Sequence, residues 1–185
     1  MIIFISIWAA WFISEILLNR LFRSSNYGKS NLDKGSIRII WITIGIANSI
    51  GIISSLLFKF PICNSLIIPY LGLCLILFGM IFRFISILTL GKFFTVDVTI
   101  QKNHQLKKDG VYRFIRHPSY LGSILSFIGF GLSLDNWMSL FIITVPVTIA
   151  MIYRINIEEK ILIKQFGSTY IDYTNRTHKL IPWIY

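Results

Sequence analysis

The stretch 66–90 reads LIIPYLGLCLILFGMIFRFISILTL, and Arg83 is its one charged residue. A helix needs about 20 mostly apolar residues to cross the hydrocarbon core of a bilayer. This run meets that length. It is too long and too continuous for a barrel strand, which alternates over about 10 residues. Similar runs lie on either side of it. Upstream are 37–58, bounded by Lys59 and Pro61, and 2–21, interrupted by Glu15 near its end. Downstream, 118–134 and 137–153 form a tight pair around Asp135-Asn136. The pattern predicts an all-α, polytopic integral membrane protein with about five transmembrane helices. The fourth run is short for a full crossing unless its helix begins within Arg116-His117-Pro118.

Composition agrees with this reading. Of 185 residues, 55% are hydrophobic and only 14% charged, too little polar surface for a soluble domain of this size. One domain, 1–185, is the expectation from length. The net charge of +10 does not point to nucleic acid, because the basic residues fall in short clusters between apolar runs. Segments 19–38, 91–117 and 153–185 hold 16 of the 18 Lys and Arg. With five spans these three segments share one side, and the excess of positive charge makes that side the cytoplasm. The N-terminus is then expected outside. The first run lacks a basic n-region and a small-residue cleavage site, so it reads as a retained span. Cys63 and Cys74 lie in apolar surroundings with no CxxC or Cys/His cluster, so neither a disulfide framework nor a zinc site is indicated. The polar material, 91–117 and a tail at 154–185 expected to carry a cytoplasmic helix, is gathered on one face.

The densest polar cluster spans His104 to Gly122. Gly110 permits a turn that other residues resist. Pro118 suits the first turn of a helix, where its missing N–H has no partner to lose. The free N–H groups of Ser119, Tyr120 and Leu121 would then face the cytoplasm with the positive end of the helix dipole, a geometry that favours an anion. Arg116 and His117 precede that helix start. Tyr112 and Tyr120 offer rings for an adenine or a cationic sulfonium. The plainer alternative is that these are interfacial anchors and belt aromatics. A second cluster, Arg154-Ile155-Asn156-Ile157-Glu158-Glu159, follows the fifth run. Arg154 and Glu158 are four apart and share a helix face. They are either a substrate carboxylate clamp and an acceptor for hydroxyls or an ammonium, or an ordinary intrahelical ion pair. Arg83 and Glu15 are ionisable groups in spans, expensive and therefore functional candidates. Arg83 could snorkel to the near interface or pair with Glu15. His178 is given no role.

Taken together, the clusters resemble the isoprenylcysteine carboxyl methyltransferase family and its wider relatives, the membrane phospholipid methyltransferases. The resemblance rests on His104 and Leu106, Gly110 and Tyr112, and Arg116-His117-Pro118-Ser119-Tyr120-Leu121-Gly122. It continues in Arg154, Glu158-Glu159, Phe166-Gly167, Tyr170, Tyr173 and Ile181-Pro182. It covers the chain from Gly91 onward. It implies an S-adenosyl-L-methionine site at His104, Tyr112, His117, Pro118, Ser119, Tyr120 and Glu158, with Gln105, Leu106 and Lys107 running along the cofactor as backbone. It gives Arg154 to the acceptor as the catalytic arginine. No metal is implied. The expected partners are the lipid bilayer and a lipophilic or lipidated substrate.

Methyl transfer from a sulfonium is an in-line displacement that needs positioning and desolvation. A carboxylate or thiolate acceptor needs no general base. A phospholipid amine must lose a proton, and no base is evident, so the carboxylate or thiol ranks first. The rivals are a phospholipid N-methyltransferase, a membrane NADPH-dependent reductase of similar helical architecture, and a non-catalytic membrane protein. The Ile-, Asn- and Lys-rich composition points to an AT-rich genome and a bacterial inner membrane.

Overall fold

The computed structural model describes residues 2–22, 35–91, 94 and 106–182. These form six helices: α1 (Ile2–Leu21), α2 (Ser36–Leu57), α3 (Ile67–Leu90), α4 (Pro118–Ser133), α5 (Trp137–Phe166) and α6 (Ser168–Thr174). A 3₁₀ turn, Gly110–Arg113, lies between α3 and α4. Among the described residues there is no strand, only an isolated parallel bridge between Ile115 and His178. The molecule is an all-helical membrane protein. α1, α2, α3 and α5 are each long and apolar enough to cross a bilayer. Large apolar side chains cover their outer faces, including Ile42, Ile46, Phe78, Ile81 and Ile149. Only helices or closed barrels satisfy every backbone hydrogen bond in lipid.

Two helices depart from simple crossings. α4 has 16 residues, about 24 Å at 1.5 Å per residue, less than the roughly 30 Å of the hydrocarbon core. α5 has 30 residues, about 45 Å, and continues past the expected end at Tyr153. Nothing between Arg154 and Phe166 breaks a helix, and the chain turns only at Gly167. α4 ends and α5 begins at the 134–136 turn, so α5 runs back alongside α4. The last turns of α5, nearly four of them, therefore rise past the start of α4. Arg154 and Glu158 project over that step.

The two most extensive pairings of the bundle are α3 on α4 and α2 on α5, joined by α4 on α5. The first is a backbone contact made by small residues. A Cβ placed on Gly79 would lie 2.5 Å from the Gly122 carbonyl oxygen and 2.8 Å from the Ser126 nitrogen. One placed on Gly129 would lie 2.6 Å from the Gly72 oxygen and 2.7 Å from the Ile76 nitrogen. Lipid tails are as apolar as leucine, so helices in a bilayer associate through close packing of this kind. Across α2 and α5, Ser139 Oγ donates to the Gly51 carbonyl at 2.7 Å. At the same end of the bundle, the Asp135 carboxylate accepts from the amides of Ile62 and Cys63 at 3.2 Å each. Asn136 Nδ2 donates to the Phe58 carbonyl at 2.6 Å. α1 joins through Trp8, whose indole donates to Ser133 Oγ at 3.0 Å. Trp11 helps, packed on Phe127 with centroids 4.9 Å apart.

Candidate active site

At the opposite end of the bundle the side chains quoted from the sequence gather around one cavity of about 190 Å³. Its polar end is lined by Tyr112, His117, Ser119, Tyr120, Arg154 and Glu158. Its apolar arm runs between α1 and α2, past Trp11, Phe12, Ile40, Trp41 and Ile44. The arm comes from the part of the chain in which no motif was legible.

Tyr120 is the centre of the polar end. Its hydroxyl accepts from Arg154 Nε at 3.0 Å and donates to Glu158 Oε2 at 2.9 Å. Arg154 and Glu158, one turn apart on α5, are thus linked through a phenol on α4. Arg154 is 3% exposed, and its Nη1 also donates to Ser36 Oγ at 2.7 Å. Ser36 is buried in the first turn of α2. The Tyr120 and Ser36 hydroxyls therefore both take part in holding the guanidinium.

A second network surrounds Glu159. Its Oε1 accepts from Arg116 Nε at 2.9 Å and lies 3.3 Å from His117 Nε2. Its Oε2 lies 3.0 Å from Lys179 Nζ. Arg116 also donates to the carbonyls of Thr174 and Thr177. The amides of Arg116 and His117 bond the carbonyls of His178 and Lys179, and the His178 amide bonds Phe114. The chain after α6 is thereby strapped to the segment that delivers His117. Tyr173 joins the same assembly, donating to the Tyr112 carbonyl at 2.6 Å. Burial pushes its hydroxyl up to about 12, so it stays a donor at neutral pH. Burial, and then the charge of Glu158, also hold the Tyr112 hydroxyl well above its ordinary value. That hydroxyl donates to the Ser86 carbonyl at 3.3 Å, fixing the ring beneath α3.

Arg83 does not snorkel. Its Nε lies 3.0 Å from Glu15 Oε1, and its Nη1 donates to the carbonyl and hydroxyl of Ser119 at 3.0 Å each. The pair ties α1 and α3 to the start of α4 at the cavity wall.

Of the residues expected at the site, Leu106, Lys107, Tyr112, His117, Ser119, Tyr120, Arg154 and Glu158 all line the cavity. Pro118 does not. It is fully buried in the first turn of α4 and serves to start the helix that presents Ser119 and Tyr120. His104 and Gln105 lie outside the described residues. Gly110 has φ +57, the left-handed turn expected of it. Ser36, Glu159 and the cavity-lining Tyr170 went unassigned. Glu159 and Tyr170 were in view as motif residues, whereas Ser36 carries no local signal.

The phospholipid methyltransferase family model matches residues 67–169, more than half of the chain. The chain belongs to that family. Within it, the chain is 40% identical over 116 residues to protein-S-isoprenylcysteine O-methyltransferase of Saccharomyces cerevisiae, covering 62% of this chain and 48% of that protein. It is 34% identical over 115 residues to protein-S-isoprenylcysteine O-methyltransferase B of Arabidopsis thaliana, covering 61% and 58%. Its fold is similar to that of a eukaryotic intramembrane Ras methyltransferase, isoprenylcysteine carboxyl methyltransferase. There the TM-score is 0.68 and the identity 26%, over 98% of this chain and 65% of that one. The chain spans about half to three fifths of the length of these curated relatives. The matched span of this phospholipid methyltransferase family member begins at α3 and ends in α6, so the Ser36 contact and most of the apolar arm lie outside it.

Proposed function

We propose that the chain is an S-adenosyl-L-methionine-dependent methyltransferase acting on a carboxylate or thiol at the end of a lipophilic molecule. The observation that carries this reading is the Tyr120 hydroxyl joining Arg154 and Glu158 in a cavity with one polar end and one apolar arm. The names of its relatives, isoprenylcysteine O-methyltransferases, agree with it. When bound, the cofactor supplies an electrophilic methyl group on a sulfonium sulfur. The donor set fits such a group. The Glu158 carboxylate is available for an ammonium or hydroxyls, and the rings of Tyr112 and Tyr120 face the cavity. His117 and the start of α4 at Ser119 complete that side, with Leu106 and Lys107 beside it. His104 and Gln105 are assigned to the same side from the motif alone.

Arg154 takes the acceptor. A guanidinium binds a carboxylate through two parallel hydrogen bonds, and at 3% exposure it does so away from water. Tyr120 and Ser36 fix the fork, and the apolar arm receives the acceptor's tail. An ionised carboxylate attacks without a general base, so the chain's task is alignment and exclusion of water. The buried positive charge of Arg154 favours an anionic acceptor over a phospholipid amine, although the family name would admit either.

We treat 1–185 as one functional unit and place the polar end of the cavity at the cytoplasmic face, where the basic segments lie. Composition favours a bacterial inner membrane, while the relatives named above are eukaryotic. Membranes containing the protein, incubated with methyl-labelled S-adenosylmethionine, should yield a lipid-soluble product. Base should release its label as methanol if the acceptor is a carboxylate and retain it if the acceptor is a thiol. Label in phosphatidylethanolamine derivatives would establish the amine reading, and no labelled lipid at all would refute methyl transfer.

A further inference from the structure

Tyr170, on α6, is 1% exposed and lines the polar end of the cavity. Its hydroxyl is buried and has no hydrogen-bond partner. A buried polar group without a partner is costly, and few are left so in folded proteins. The neighbouring Tyr173 shows the contrast. It lies on the same short helix and is similarly buried, yet its hydroxyl is satisfied by the Tyr112 carbonyl at 2.6 Å. The fold thus pairs one phenol of α6 and leaves the other unpaired, and the unpaired one is at the cavity.

We infer that the Tyr170 hydroxyl is a ligand-binding group, completed by a hydrogen bond to an uncharged oxygen or nitrogen on the nucleoside part of the cofactor. The inference rests on the methyltransferase reading and adds a residue to its site. The charge of the surroundings selects the ligand atom. Burial first, and then the charges of Glu159 and Glu158, oppose ionisation of the phenol, with Arg116 partly offsetting them. Tyr170 therefore remains a donor, and Glu158, which bonds the Tyr120 hydroxyl and not a cation, disfavours a ligand carboxylate. A ribose hydroxyl suits the position, since it can accept from Tyr170 while donating to a carboxylate.

The test follows from the missing partner. Tyr170→Phe removes a hydroxyl that bonds nothing in the free protein. The free variant should therefore melt at the same temperature as the wild type or higher. Its affinity for S-adenosylhomocysteine should fall about two- to tenfold, the loss of one neutral hydrogen bond. The same loss should appear with 5′-methylthioadenosine, which keeps the nucleoside and lacks the amino acid. Tyr173→Phe is the internal contrast and should lower the melting temperature of the free protein. Unchanged affinity in Tyr170→Phe, or a fall in melting temperature matching that of Tyr173→Phe, would overturn the assignment. A loss seen with S-adenosylhomocysteine but not with methylthioadenosine would overturn the nucleoside contact. Failure of the wild type to bind either ligand would overturn the methyltransferase reading itself, and the Tyr170 assignment with it.

Discussion

Gly79→Ala tests whether the small-residue contact between α3 and α4 sets the geometry of the site. The added methyl would start 2.5 Å from the Gly122 carbonyl oxygen and 2.8 Å from the Ser126 nitrogen. Both are backbone atoms, so no rotamer change relieves the clash. Ordinary contact begins near 3.4 Å, so the helices must part by about 0.9 Å. Overpacking of this kind costs roughly 1–3 kcal/mol. One turn beyond Gly79, Arg83 holds Ser119 at 3.0 Å. Separation by the same amount would stretch those bonds past hydrogen-bonding distance and shift Ser119 and Tyr120 away from α5. A displacement near 1 Å at a reacting centre can cost about a hundredfold in rate. Thermal unfolding in detergent and methyl transfer should therefore both suffer, with the loss in rate larger than the loss in folded fraction explains. A Gly79→Ala protein with full stability and full activity would refute the claim that this contact positions the site.

Glu159→Ala removes the carboxylate shared by Arg116, His117 and Lys179. Arg116 keeps the Thr174 and Thr177 carbonyls and Lys179 keeps Asn156, so the cost should be about 2–3 kcal/mol, near the low end for a broken buried pair. Denaturant unfolding measures it, and a cost below about 0.5 kcal/mol would place the strap elsewhere. Tyr173 has its pKa raised from 10.0 to about 12. Its contribution is fully present below pH 10 and is lost as pH rises to 12. Wild-type stability should fall across that window more steeply than that of Tyr173→Phe. Ser36→Ala removes one of the oxygens orienting Arg154. Acceptor KM should rise with S-adenosylhomocysteine affinity unchanged, and Ser36→Thr should restore it. An equal effect on both ligands would make Ser36 merely structural.

The helices were legible because lipid leaves the backbone few choices. Runs such as 66–90 must be helical to satisfy their own peptide groups, and their ends fall near the first polar residues. The length of α5 was less legible, because hydropathy marks where the bilayer ends and not where the helix does. Residues 154–166 continue the helix while changing in polarity. The motif side chains that reach the cavity are the ones the resemblance to the isoprenylcysteine carboxyl methyltransferase family implies; residue types and spacing alone fit interfacial anchors and an intrahelical ion pair equally well. Pro118 belongs to the motif but lies in the first turn of α4 without lining the cavity, so it shapes the backbone that presents Ser119 and Tyr120. Glu158 and Glu159 are adjacent in sequence but about 100° apart around the helix. One faces Tyr120 and the cavity, the other the strap. Ser36 acquires meaning only when the fold brings the start of α2 beside α5. The close approach of Gly72 and Gly79 to Gly122 and Gly129 emerges only once α3 and α4 are packed together.

The central claim is the division of labour between the two residues bridged by Tyr120. Isothermal titration of S-adenosylhomocysteine into purified Glu158→Gln and Arg154→Ala tests it directly. Glu158→Gln keeps the shape of the side chain and removes its charge. A lost charge-assisted hydrogen bond of roughly 1.5–3 kcal/mol should weaken binding about ten- to a hundredfold. Arg154→Ala should bind with nearly wild-type affinity while losing turnover or acceptor affinity. Unaltered binding in a folded Glu158→Gln protein, or equal loss in both variants, would contradict the account.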